Sequence, residues 1–156
     1  MSSSSVKNFY DDGLRFSCRR CSFCCGTTPG FVYLSKRDLT QLCKFFNLAV
    51  REFVSRYCRW ADYYGGTQVL ALKEKSNCDC ILWKDGCSAY SARPVQCETY
   101  PFWTWMISDA STWNECARDC PGMNKGELHD AKEIAQASAR YTANVPLTKE
   151  ETESLY

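Results

Sequence analysis

Histidine is almost absent: the 156-residue chain has a single one, His129. That excludes a zinc finger needing two histidines and leaves a Cys–His nucleophile pair with little support. Net charge is nearly absent as well. With 19 basic and 18 acidic residues the formal charge is +1, so the chain raises no field for gathering nucleic acid or an anionic membrane. No apolar run approaches the ~20 residues that span a bilayer. The opening Met1-Ser2-Ser3-Ser4-Ser5-Val6-Lys7-Asn8 lacks the apolar core of a secretory signal, which makes the cytoplasm the expected compartment. There is no glycine-rich nucleotide fingerprint, no internal repeat and no linker that divides domains. Composition is otherwise that of an ordinary globular protein, 45% hydrophobic and 24% charged.

Cysteine breaks this pattern, with 12 residues in all. Four of them lie within Cys18-Arg19-Arg20-Cys21-Ser22-Phe23-Cys24-Cys25. Thiolates bind soft metals, and two-residue gaps let consecutive sulfurs converge on one centre. Framework disulfides are the competing explanation for an even count. They serve mainly secreted chains too small for a core, and adjacent Cys24 and Cys25 are awkward partners for them. Metal ligation is the stronger reading. Arg19 and Arg20, inside the ligand loop, either offset thiolate charge or are simply solvated.

The remaining pattern predicts a polar disordered tail over residues 1–8, a metal-binding domain over 9–145, and a C-terminal extension with a short helix over 146–156. Leu14-Arg15-Phe16-Ser17 and Phe31-Val32-Tyr33-Leu34 read as strands, with irregular backbone at Gly26, Pro29 and Gly30 between them. Ser35 with Asp38 signals a helix start, and Leu39, Leu42, Cys43 and Phe46 form its apolar stripe up to about Asn47. Val50, Phe53, Val54 and Tyr57 mark a second helix, whose stripe continues to Cys58. Buried thiols behave as small hydrophobes, so Cys43 and Cys58 are expected in the core. Residues 67–72 read as a strand. Asp85-Gly86 signals a hairpin turn bracketed by Cys80 and Cys87, which brings both sulfurs to one end. A helical turn is expected over residues 92–98, strand or loop over 102–106, and helices over 112–119 and 127–141. Thr148 with Glu151 caps a last short helix. His129, sharing a helix face with Glu133, Gln136 and Arg140, is expected to be exposed and without function. The fold class is therefore α+β: a small, irregular, mostly antiparallel sheet with several helices, and loops pinned by metal.

Taken in order, Cys18-x2-Cys21-x2-Cys24-Cys25, Cys80-Ile81-Leu82, Cys87-Ser88-Ala89-Tyr90, Arg93-Pro94-x2-Cys97-x2-Tyr100-Pro101-Phe102 and Cys120-Pro121-Gly122 resemble one known family. It is the YkgJ-type cysteine-cluster proteins, or CxxCxxCC family, described as zinc- or iron-chelating domains. The resemblance covers roughly residues 13 to 123. It implies eight metal ligands: Cys18, Cys21, Cys24, Cys25, Cys80, Cys87, Cys97 and Cys120. Ser22 departs from the family, which commonly has glycine after the second cysteine. Cys78 and Cys116 are extras: Cys78 replaces Cys80 if the register shifts by two, and Cys116, four before Cys120, reaches the same site if the two share a helix face.

Eight thiolates fill two four-sulfur sites, or one cluster and one mononuclear site. A Cys-x2-Cys-x2-Cys run with a later Cys-Pro is similar to ferredoxin ligation, whereas paired Cys-x2-Cys zinc knuckles are missing. Spacing therefore leans to an iron or iron–sulfur centre, with zinc as the alternative. Trp103, Trp105 and Trp113 are expected to shield that centre more than to form a binding surface. Arg93 either fixes a loop near the site or serves packing alone. The function expected is that of a cytosolic metal-binding protein with a metal ion as its partner and no membrane. The competing reading is a metal-dependent enzyme modifying a protein or peptide, since the cysteine motif is similar to that of flagellin lysine N-methylases. The chain is short for that activity.

Overall fold

The computed structural model describes residues 7–19 and 31–156. In chain order these form β1 (Leu14–Phe16), α1 (Lys36–Phe46), α2 (Val50–Tyr57), β2 (Cys58–Asp62), β3 (Gln68–Leu72), α3 (Val95–Thr99), α4 (Ala110–Ala117), β4 (Met123–His129), α5 (Ala131–Ala143) and α6 (Lys149–Glu153). The class is α+β, as expected. Among the described residues the antiparallel pairing is divided between two two-stranded sheets, β1–β4 and β2–β3. Two compact units result, Met1–Cys21 with Thr99–Thr142 and Ser22–Glu98 with Ala143–Tyr156. The tail expected at residues 1–8 falls outside the described residues up to residue 6, and so does the irregular stretch with Gly26, Pro29 and Gly30.

In the larger unit, α1 starts where the sequence signals it. Ser35 Oγ accepts from Asp38 N at 3.2 Å and Asp38 Oδ2 accepts from Ser35 N at 3.1 Å, a complete capping box. Asn47 ends the helix in the left-handed conformation at φ 53°. Leu39, Leu42 and Cys43 of α1 share a core with Phe53 and Val54 of α2 and with Leu70 and Leu72 of β3. Cys58 does not continue α2. It opens β2, whose register with β3 runs from Cys58↔Leu72 to Asp62↔Gln68, and it stays buried in the same core. The other edge of β3 takes an extended piece at residues 32–34, with Leu34 N donating to Leu70 O at 3.0 Å and Leu72 N to Val32 O at 2.9 Å. Leu147 then bonds Leu70 and Leu34, and Thr148 caps α6 through Glu151 N at 3.1 Å.

The smaller unit corrects the expectation at residues 127–141. Their first part is strand β4, and helix α5 begins only at Ala131. Long-range pairing overrides local helix propensity there: Leu14 faces His129, Arg15 faces Leu128, and Phe16 faces Met123 across a bulge. His129 is accordingly not a solvated helix residue. Its Nε2 lies 2.9 Å from Phe16 O, its Nδ1 lies 3.0 Å from Glu133 Oε2, and its ring meets Phe102 edge-on. With its side chain only 20% exposed, it is a structural link between β1, β4 and α5. The core beside it gathers Phe102, Met106, Trp113, Met123 and Ile134. Trp113 sits on α4, which Asp109 caps by accepting from Thr112 N at 2.7 Å. Its indole stacks on Phe102 at 5.9 Å and donates to Asn124 Oδ1 at 2.8 Å.

Candidate metal centre

Cys18 lies two residues beyond β1 and is exposed. Its position is set by Ser17, whose N–H donates to Gly122 O at 3.2 Å and whose Oγ accepts from Glu127 N at 2.9 Å. Gly122 in turn ends the Cys120-Pro121-Gly122 motif. A Cβ on Gly122 would stand 2.2 Å from Ser17 O, so only glycine allows the two backbones this approach. The fold thus sets the backbone before Cys18 against the backbone after Cys120, joining chain segments about a hundred residues apart in sequence. Cys120 itself is buried. Cys116, four residues earlier, is half-exposed, and burial followed by the charges of Glu115 and Asp119 raises its thiol above the ordinary range.

In the other unit the hairpin turn forms as the Asp-Gly pair predicts. Trp83 pairs with Cys87, Lys84 N donates to Gly86 O at 2.8 Å, and Asp85 and Gly86 both take positive φ. Cys80 pairs with Glu74 and receives Trp83 N on its carbonyl at 2.9 Å. Both cysteines are half-exposed and pack against the unit's core. Cys78, a free thiol, sits in the left-handed conformation at φ 71°. Arg93 fixes the turn between Cys87 and Cys97, donating to Tyr90 O at 2.9 Å with its guanidinium 3.9 Å over the Tyr90 ring. Cys97 rides on α3. The preceding Gln96 and Val95 are held by contacts from two directions, to the backbone of Phe31 and Tyr33 and to buried Asp38.

Cys21, Cys24 and Cys25, together with Arg20, lie outside the described residues. Among the described residues no three His, Cys, Asp or Glu side chains stand together as a metal site. A family model for the CxxCxxCC family, described as "Putative zinc- or iron-chelating domain", matches residues 17–121. This chain belongs to the CxxCxxCC family. The description assigns metal chelation to the domain and leaves zinc and iron open. An uncharacterized protein of Methanocaldococcus jannaschii is 28% identical over 95 residues, covering 60% of this chain and 48% of that protein. The chain therefore spans about half the length of that curated relative. No solved structure matches it.

For a CxxCxxCC protein the donor chemistry fits the description. The motif residues are thiols, while the one histidine has both ring nitrogens engaged within the β1–β4–α5 corner. Cys43 and Cys58 are set apart from this set by burial, which raises both thiols and pushes Cys58 up to about 12. The unfolded chain ionises first, so this contribution to stability is complete below the ordinary thiol value of 9.0 and is lost as pH rises toward about 12. Native protein treated with a maleimide at about pH 8 is expected to leave both unlabelled, and urea-unfolded protein to label both, as read by peptide mass spectrometry. Native labelling at either site contradicts their place in the core.

The tryptophans divide. Trp113 is core, Trp103 stacks on Tyr141 at 5.2 Å, and Trp105 is 54% exposed. Among the described residues no helix is long and apolar enough to cross a membrane. Sequence reasoning missed that Asp38 and Gln96 anchor α3, the helix that carries Cys97. Asp38 reads as a cap residue only, and Gln96 hides inside the Arg-Pro-x2-Cys motif.

Proposed function

We propose that this chain is a cytosolic metal-binding protein that holds an iron or iron–sulfur centre, with zinc the alternative, through Cys18, Cys21, Cys24, Cys25, Cys80, Cys87, Cys97 and Cys120. The observation that carries the reading is the approach of Ser17 to Gly122, which sets the backbone before Cys18 against the backbone after Cys120. Further support comes from the Asp85-Gly86 turn that pairs Trp83 with Cys87 and from the anchoring of α3 under Cys97. Soft thiolate donors suit iron–sulfur clusters and zinc alike. Bound iron–sulfur supplies one-electron chemistry, whereas a four-thiolate zinc site closes loops and adds folding energy.

Serine variants test the ligand set. Cys24→Ser and Cys97→Ser are each expected to lose at least half of the bound metal after anaerobic purification. Cys43→Ser, taken from the core stripe, is expected to keep the wild-type metal ratio. Unchanged metal content in Cys24→Ser removes the opening loop from the centre.

A further inference from the structure

The extended piece at residues 31–34, which bridges β3 at Tyr33, has an unusual occupant on its other edge. In an extended chain, alternate residues present their backbone groups to opposite edges. Val32 and Leu34 face β3, which leaves Phe31 and Tyr33 facing the other way. There the side-chain amide of Gln96 takes the place of a neighbouring strand. Its Nε2 donates to Phe31 O at 2.7 Å and its Oε1 accepts from Tyr33 N at 3.0 Å. The two bonds fix the orientation of the amide, since exchanging oxygen and nitrogen would face donor with donor and acceptor with acceptor. The extended piece is itself braced, with Phe31 stacked on Tyr33 at 5.8 Å and Arg59 4.5 Å over the Phe31 ring.

The residue before Gln96 is anchored in a different direction. Val95 N donates to Asp38 Oδ1 at 3.0 Å, and Asp38 Oδ2 accepts from Asn144 Nδ2 at 2.8 Å. A five-residue helix has little stability of its own, so the setting of α3 depends on such anchors. Phe31 also follows Cys25 by only six residues in the sequence. We infer that Gln96 is a positioning residue for Cys97, holding its thiolate in register with the extended piece that leaves the opening cysteine loop. The inference rests on the metal reading proposed above. Removal of a group that orients a ligand typically costs 10–100-fold in metal affinity while the ligand count is unchanged.

The test is the rate at which the full-length, metal-loaded protein gives up its metal to excess chelator. Gln96→Ala is expected to release metal roughly 10–100-fold faster while still binding the wild-type amount. Gln96→Glu, which keeps the acceptor for Tyr33 N and loses the donor to Phe31 O, is expected to fall between. Val54→Ala, which hollows the core of the same unit, is expected to lower thermal stability with release unchanged. Wild-type release from Gln96→Ala, or equal acceleration by Val54→Ala, overturns the inference and leaves the metal reading standing. A wild-type chain that takes up neither iron nor zinc overturns the metal reading and this inference together.

Discussion

Gly122→Ala is expected to destabilise the Thr99–Thr142 unit by about 3 kcal/mol, the upper part of the ordinary range for overpacking. The new Cβ would stand 2.2 Å from Ser17 O, a backbone atom that moves only if the end of β1 moves with it. Gly126→Ala offers a contrast. Its Cβ would also meet Ser17 at 2.2 Å, but on the side-chain Oγ, with positive φ as the further strain. Rotation of the Ser17 side chain moves Oγ away at the loss of its bond from Glu127 N. Ser17 Cβ would still lie 2.5 Å from the new Cβ, so Gly126→Ala is expected to destabilise as well. Chemical denaturation followed by the fluorescence of Trp113 and its neighbours reads both variants. Gly122→Ala within about 0.5 kcal/mol of wild type removes the tight approach from the account.

Asp38→Ala is expected to cost about 3–5 kcal/mol, and the size decides what the residue does. As a member of a capping box alone, Asp38 is worth about 1 kcal/mol. Its carboxylate, however, is fully buried and serves three donors from separate segments: Ser35 N at 3.1 Å, Val95 N at 3.0 Å and Asn144 Nδ2 at 2.8 Å. Deleting it strands these donors, at about 1–3 kcal/mol for each that remains buried. Asp38→Asn keeps one acceptor and is expected to lose less. Denaturant unfolding measures the difference; a loss near 1 kcal/mol for Asp38→Ala reduces it to a helix cap.

Both effects arise where local sequence signals end. The capping of α1, the Asp85-Gly86 turn, the cap of α6, the inward stripe with Cys43 and the burial of Cys58 were legible because each is written within a few neighbouring residues. Strand β4 was not, because the stretch from Glu127 reads as helix until β1 pairs with Leu128 and His129 from over a hundred residues away. The role of His129 was hidden for the same reason. At the site, residue type marked the cysteines and the resemblance to the CxxCxxCC family selected the eight candidate thiols among them. Neither gave a hint that Gly122 is required by Ser17, that Asp38 reaches Val95, or that the amide of Gln96 closes the edge at Phe31 and Tyr33. Those contacts are tertiary, between groups whose chemistry is ordinary in isolation.

The central claim is that the cysteine constellation binds metal. Its most direct test is elemental analysis of the full-length wild-type chain, purified without oxygen, alongside absorption and acid-labile sulfide. The account predicts metal in a fixed ratio to protein, with iron giving a brown sample that absorbs near ~400 nm and carries sulfide. Colourless protein with a fixed ratio of zinc and no iron retains the metal site and overturns the preference for iron. A folded chain that carries neither metal, and takes up neither when supplied, contradicts the claim.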